Sequence, residues 1–114
     1  METIFAEKLE TVISKGATNS RMKDYHDLLL ICRENGLLKY PKLKEDIKNT
    51  FKNRNTRIKD TIKFLSDEYL LLQQLWSSHR RGIGEMANEL NLPENIEDLV
   101  IEVNNWIVKN KLIS

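Results

Sequence analysis

The sequence predicts an all-α fold, a compact bundle of five to six helices with short loops, on three observations. Apolar residues recur at spacings of three and four, which gathers them on one side of a helix turning about 100° per residue. No β-branched run alternates with polar residues as a half-buried strand would. The composition is 40% hydrophobic and 31% charged with 4 Gly and 2 Pro, which suits a soluble helix-rich chain rather than a disordered one. Its 114 residues fit a single domain, 1–114, with a core of its own.

Thr3 to Ser14 reads as the first helix, with Phe5, Leu9, Val12 and Ile13 on one face and Gly16 as its stop. Lys8 lies at the edge of that face, where a lysine rests its stem on the core and sends its ammonium to water. The helix starts almost at the first residue, as in a chain cut from something longer or one whose first helix docks early. Asn19 or Ser20 can cap a second helix from Arg21 to Asn35, and Gly36 fits the left-handed position that ends it. Met22, Tyr25, Leu28, Leu29 and Cys32 share one side of it, while Leu30 and Ile31 point elsewhere. Its middle is apolar nearly all round, so it belongs between neighbours.

Pro41 opens a third helix striped with Leu43, Ile47 and Phe51 through about Lys52, and polar residues Asn53 to Thr56 break the pattern. Residues 56–65 fit a helix or a loop equally. Ser66 or Asp67 caps a fourth helix, where Tyr69, Leu72, Leu75, Trp76 and His79 recur at helical spacing. Arg80-Arg81-Gly82 ends it, with cations well placed for the helix dipole. A short helix falls within Ile83 to Leu92, and Pro93 opens the last one, striped with Ile96, Leu99, Val100, Val103, Trp106 and Ile107.

No apolar run approaches the ~20 residues that span a membrane, and no basic-then-apolar leader opens the chain. The single Cys32 cannot form an internal disulfide, which fits a reducing compartment, so a cytoplasmic protein is expected. Residues 1–63 hold 14 Lys/Arg against 9 Asp/Glu, and residues 64–114 hold 4 against 8. Nine of those cations and three acids fall within Lys39 to Lys63. That segment suits RNA phosphates or is simply a solvated helix surface, and it lacks the interleaved aromatics of a single-strand stacking platform.

Asp24 and Asp27 share a helical side and can bind a divalent ion or act as acid and base. Arg21–Asp24 and Lys23–Asp27 are equally ion-pair spacings near a helix N-terminus, where carboxylates are favoured. His26 lies off the main apolar side and is expected in solvent, whereas His79 is expected to pack. Two distant His and one Cys make no zinc pattern, and Cys32, Trp76 and Trp106 read as core. There is no Gly-rich phosphate loop, Ser-His-Asp arrangement or dinucleotide fingerprint, so the residues alone form no complete active site.

Three stretches in order carry a resemblance. They are ETIFAEKLE at residues 2–10, NSRMKDYHDL at 19–28, and TF…R.T within 47–56. This order resembles the C-terminal half of the AbiEii/AbiGii nucleotidyltransferase toxin family, specifically through about residue 56. The resemblance implies a bacterial toxin of a toxin–antitoxin or phage-exclusion system, similar to polymerase-β-type nucleotidyltransferases that extend RNA, tRNA ends in particular. In such an enzyme a separate sheet domain carries a Gly-Ser motif and an Asp-x-Asp pair for Mg²⁺. By resemblance, Lys8 and Asp24 are the catalytic residues: Lys8 contacts the triphosphate of the incoming nucleotide, and Asp24 assists the metal or the base side of the site. Arg21 and Lys23 neutralise phosphate charge, and Asp27 and Arg54 support the cluster.

The chain departs from that pattern, because it holds no Gly-Ser motif and no Asp-x-Asp pair. It is therefore expected to bind no metal by itself, with Mg²⁺ and a nucleoside triphosphate belonging to the complete enzyme. A truncated product, a remnant, or a domain working with a separately encoded catalytic half are all expected to be inactive alone. The partners implied are that missing domain, an antitoxin, RNA, or a second copy of the chain. A non-catalytic module that binds RNA or a protein is the alternative reading.

Overall fold

The computed structural model describes residues 2–18, 21–34, 38–57, 62–110 and 112, and in these the chain is all-α. Six α-helices follow in order: α1 Glu2–Lys15, α2 Met22–Arg33, α3 Tyr40–Asn53, α4 Ser66–Ile83, α5 Met86–Glu89 and α6 Ile96–Lys109. A 3₁₀ turn, Gly16–Thr18, follows α1, and Gly16 takes the expected left-handed backbone with φ +52°. The expected caps Asn19, Ser20 and Gly36, the helix end at Asn35, and Ile58 lie outside the described residues.

Several helix boundaries differ from the sequence reading, those of α4 for local reasons and those around Pro93 and Ile62 for tertiary ones. Helix α4 starts at Ser66 with Leu65 as its flanking residue, and the Glu68 carboxylate accepts the Leu65 N–H at 2.8 Å. Its C-terminus runs on past Gly82 to Ile83, and Gly84, with φ +62°, turns the chain away. Pro93 does not open α6. Its carbonyl accepts the Trp76 indole N–H at 2.9 Å, and the helix starts at Ile96, whose N–H is met by Gln73 Oε1 at 2.7 Å. The described end of the ambiguous segment, residues 62–65, is not helical. Asn104 of α6 satisfies both backbone groups of Ile62, at 2.8 and 2.9 Å, so that strap needs no helix of its own.

Helix α1 packs mainly on α3, through Phe5, Leu9 and Val12 against Leu43, Ile47 and Phe51, all of them buried. Helix α2 touches α1, α4 and α6 and is the centre of the bundle. Tyr25, Leu28 and Leu29 on it are fully buried, and burial pushes the Cys32 thiol up to about 12, so that it stays an inert core thiol. The expectation of a solvent-facing His26 is overturned: its side is covered by α4, and the residue is 7% exposed. Its Nδ1 lies 3.0 Å from His79 Nε2, and the His79 ring stacks on Trp76. Periodicity finds the principal apolar side of a helix but not how many neighbours surround it.

At the far end of α2, Arg33 ties three elements together. Its Nε and Nη2 donate to the two Glu102 oxygens at 2.7 and 2.9 Å, and its Nη1 donates to the carbonyls of Leu90 and Asn91 at 3.1 Å each. Among the described residues, no helix is long and apolar enough to cross a membrane.

Candidate functional site

Helices α1 and α2 cross where Lys8 faces the first turn of α2, and their crossing assembles a charged cluster. Lys8 Nζ lies 3.3 Å from Asp24 Oδ1 and 3.0 Å from Asp27 Oδ2. Lys23 Nζ reaches the other Asp27 oxygen at 3.6 Å, the i,i+4 pairing its spacing suggested. The Asp24 side chain is only 6% exposed. A carboxylate so deeply placed needs a partner, and its cation comes from another helix. Lys8 thus does not simply snorkel to water. Burial works against its charge, but hydrogen bonds to Asp27 and then Asp24 outweigh this and hold its ammonium above the ordinary lysine value.

Two clefts meet at Lys8. One, of about 250 Å³, is lined by Ile4, Glu7, Lys8, Thr11, Arg21, Asp24 and Arg54. The other, of about 220 Å³, has Ile4, Leu30 and Ile31 as apolar walls, with Lys8 and Asp27 at one side. Four of the six sequence-derived residues, Lys8, Arg21, Asp24 and Arg54, therefore line one cleft, and Asp27 lines its neighbour. Lys23 lies outside both and is 74% exposed. Sequence reading missed Ile4, Glu7 and Thr11. The signal was present, since they sit four before, one before and three after Lys8 on α1, and the first and last of these spacings share its side.

Behind the polar cleft lies a second network. Glu10 is 4% exposed, and its two oxygens accept from Arg54 Nη1 at 2.8 Å and Thr56 Oγ1 at 2.6 Å. Burial favours its neutral form, but these hydrogen bonds, Thr56 first and Arg54 next, outweigh that and hold the carboxyl below its usual range.

Chemically, the polar cleft offers cations on three separate elements around one buried carboxylate, an arrangement that suits a phosphate-bearing ligand. Lys8 contacts an oxygen of each Asp, and among the described residues no group of three or more His, Cys, Asp or Glu is placed to hold a metal ion.

The family model described as nucleotidyl transferase AbiEii toxin, type IV TA system, matches residues 1–101. No curated protein and no solved structure matches the chain.

Proposed function

The chain belongs to the AbiEii nucleotidyltransferase toxin family of type IV toxin–antitoxin systems, and on that premise we propose that it supplies the triphosphate-binding helical part of a nucleotidyltransfer site. The observation that carries the reading is the convergence of Lys8, Arg21, Asp24 and Arg54 on one cleft. In this reading Lys8 contacts the triphosphate, and Asp24 fixes the ammonium from its buried side. Arg21 neutralises phosphate charge at the cleft and Lys23 does so from its rim, while Asp27 braces Lys8 and Lys23. Phosphoryl transfer asks mainly for positioning and charge stabilisation, which such an array supplies.

The 114 residues hold no Asp-x-Asp pair, so in this reading metal binding falls to a sheet domain, in the same or a separate polypeptide. The helical part alone then transfers nothing. An antitoxin is the protein partner that the family name implies. The test mixes this chain with an Asp-x-Asp domain of the family and follows labelled nucleotide into RNA. Incorporation that needs both parts and is lost in Lys8→Ala supports the reading. Failure of the wild-type chain to bind any nucleoside triphosphate sinks it.

A second reading has its own observation. Lys44, Lys48 and Lys52 are exposed along α3, a basic face that suits an RNA backbone without catalysis. An RNA gel shift that weakens steeply with salt and is indifferent to Lys8→Ala favours this module over the nucleotide site.

A further inference from the structure

Glu10 is the most deeply buried charge on α1, and its side chain is 5% exposed. Buried ion pairs contribute little net stability, because removing two charges from water costs about as much as their attraction returns. What Glu10 does is better seen from the end of α3. Asn55 takes φ +55° there, the Asn55 N–H bonds the Lys52 carbonyl at 3.1 Å, and the Thr56 N–H bonds the Phe51 carbonyl at 2.8 Å. This is a Schellman motif with Asn in the left-handed position. It reverses the chain so that Arg54 and Thr56, on either side of Asn55, reach different oxygens of the same carboxylate.

The consequence falls on Arg54. Its Nη1 is engaged by Glu10 at 2.8 Å and, more weakly, by Thr11 Oγ1 at 3.4 Å. Its Nε and Nη2 make no hydrogen bond to the described residues, and the side chain is 43% exposed where it lines the cleft. A guanidinium gripped along one side presents its remaining N–H fork in a fixed plane, the geometry that phosphate oxygens match.

We propose that Arg54 is a direct phosphate contact of this cleft and that Glu10 is the positioning residue that holds it there. The inference rests on the reading of the cleft as a nucleotide site. It replaces a supporting role for Arg54 with a binding one, and it gives the buried Glu10 a purpose. The ligand chemistry is a phosphate oxyanion, from the triphosphate tail of the nucleotide or from the backbone of the acceptor strand.

The test titrates the full chain with sodium tripolyphosphate and, separately, with a short single-stranded RNA, and records melting temperature for every variant. Arg54→Gln should weaken binding about tenfold, the loss of a charge-assisted fork. Glu10→Gln should weaken it about three- to tenfold, since one long side chain must then be ordered by the ligand. The double variant should bind no worse than Arg54→Gln alone, because Glu10 acts through Arg54. Thr56→Val removes a bond to Glu10 that does not involve Arg54, so it should lower the melting temperature and leave affinity unchanged. A loss confined to tripolyphosphate assigns Arg54 to the triphosphate, and one confined to RNA assigns it to the strand. Either supports the contact. If Glu10→Gln lowers only the melting temperature, or its effect on affinity persists in the Arg54→Gln background, Glu10 is structural and the inference fails. Binding that requires Lys8 but ignores Arg54 overturns this inference alone, whereas no binding by the wild type overturns the reading beneath it.

Discussion

The two ends of α2 carry charged clusters of opposite character. At its C-terminal end, Arg33 meets one carboxylate through two parallel bonds and two carbonyls through its third nitrogen. Charge balances one to one, the Arg33 donors are largely consumed, and neither residue lines the two clefts at Lys8. At the N-terminal end, one ammonium is shared by two carboxylates and stands on the ridge between two clefts. The first arrangement is complete as a joint between elements. The second leaves the cleft-lining guanidinium of Arg54 with donors to spare beside open volume, which is how a site differs from a brace.

That contrast is most severely tested by activity. In the enzyme completed with an Asp-x-Asp domain, Lys8→Ala should lower nucleotide transfer by about 10²-fold or more, as loss of a preorganised charge at a transferring phosphoryl group does. Arg33→Ala should leave the rate unchanged, and a matching loss there would erase the distinction. In stability the order reverses. Arg33→Ala should cost about 1–2 kcal/mol by urea midpoint, a figure kept low because Glu102 is 43% exposed and water screens the pair. Asp27→Asn, which weakens contacts to Lys8 and to the exposed Lys23, should cost about 0.5–1 kcal/mol.

The smallest effects lie in the pH dependence, on opposite limbs for the two clusters. The hydrogen bond from Arg33 holds the Glu102 carboxyl below its ordinary 4.5. Its stabilisation is therefore full above that value and is lost as pH falls through the folded-state value. Lys8 is held above 10.5, so its stabilisation is full below 10.5 and is lost as pH rises through the folded-state value. Subtracting the Glu102→Gln and Lys8→Met stability curves from wild type should give one acid-side and one alkaline-side step. Burial also lowers both His26 and His79 from 6.5, so wild-type stability should decline as pH drops below that value, and His79→Phe should flatten the decline. A flat wild-type profile between pH 7 and 5 would remove the histidine pair from this account.

The order and type of the helices were legible in the sequence, because apolar spacing is a local property. So was the burial of α2, read from its apolar middle. Lys23–Asp27 was legible too, being one helical turn. Asp24 was singled out by the helical side it shares with Asp27, whereas Lys8 and Arg54 gained site roles only as members of three ordered stretches resembling a family, and the family match over residues 1–101 supports that recognition. Glu10 lay inside one of those stretches and was passed over, since a Glu on an amphipathic helix ordinarily faces water.

The sequence by itself determined where helices run, which residues form their apolar faces, and which family the chain belongs to, since these depend on neighbours within a turn or on the order of short stretches. Only the tertiary structure decided which charges meet across helices. Lys8 and Asp24 are 16 residues apart, Glu10 and Arg54 are 44, His26 and His79 are 53, and Arg33 and Glu102 are 69. Those partners are chosen by how helices cross and where a left-handed Asn55 turns the chain, and a helix's own periodicity carries no record of the helix that packs against it.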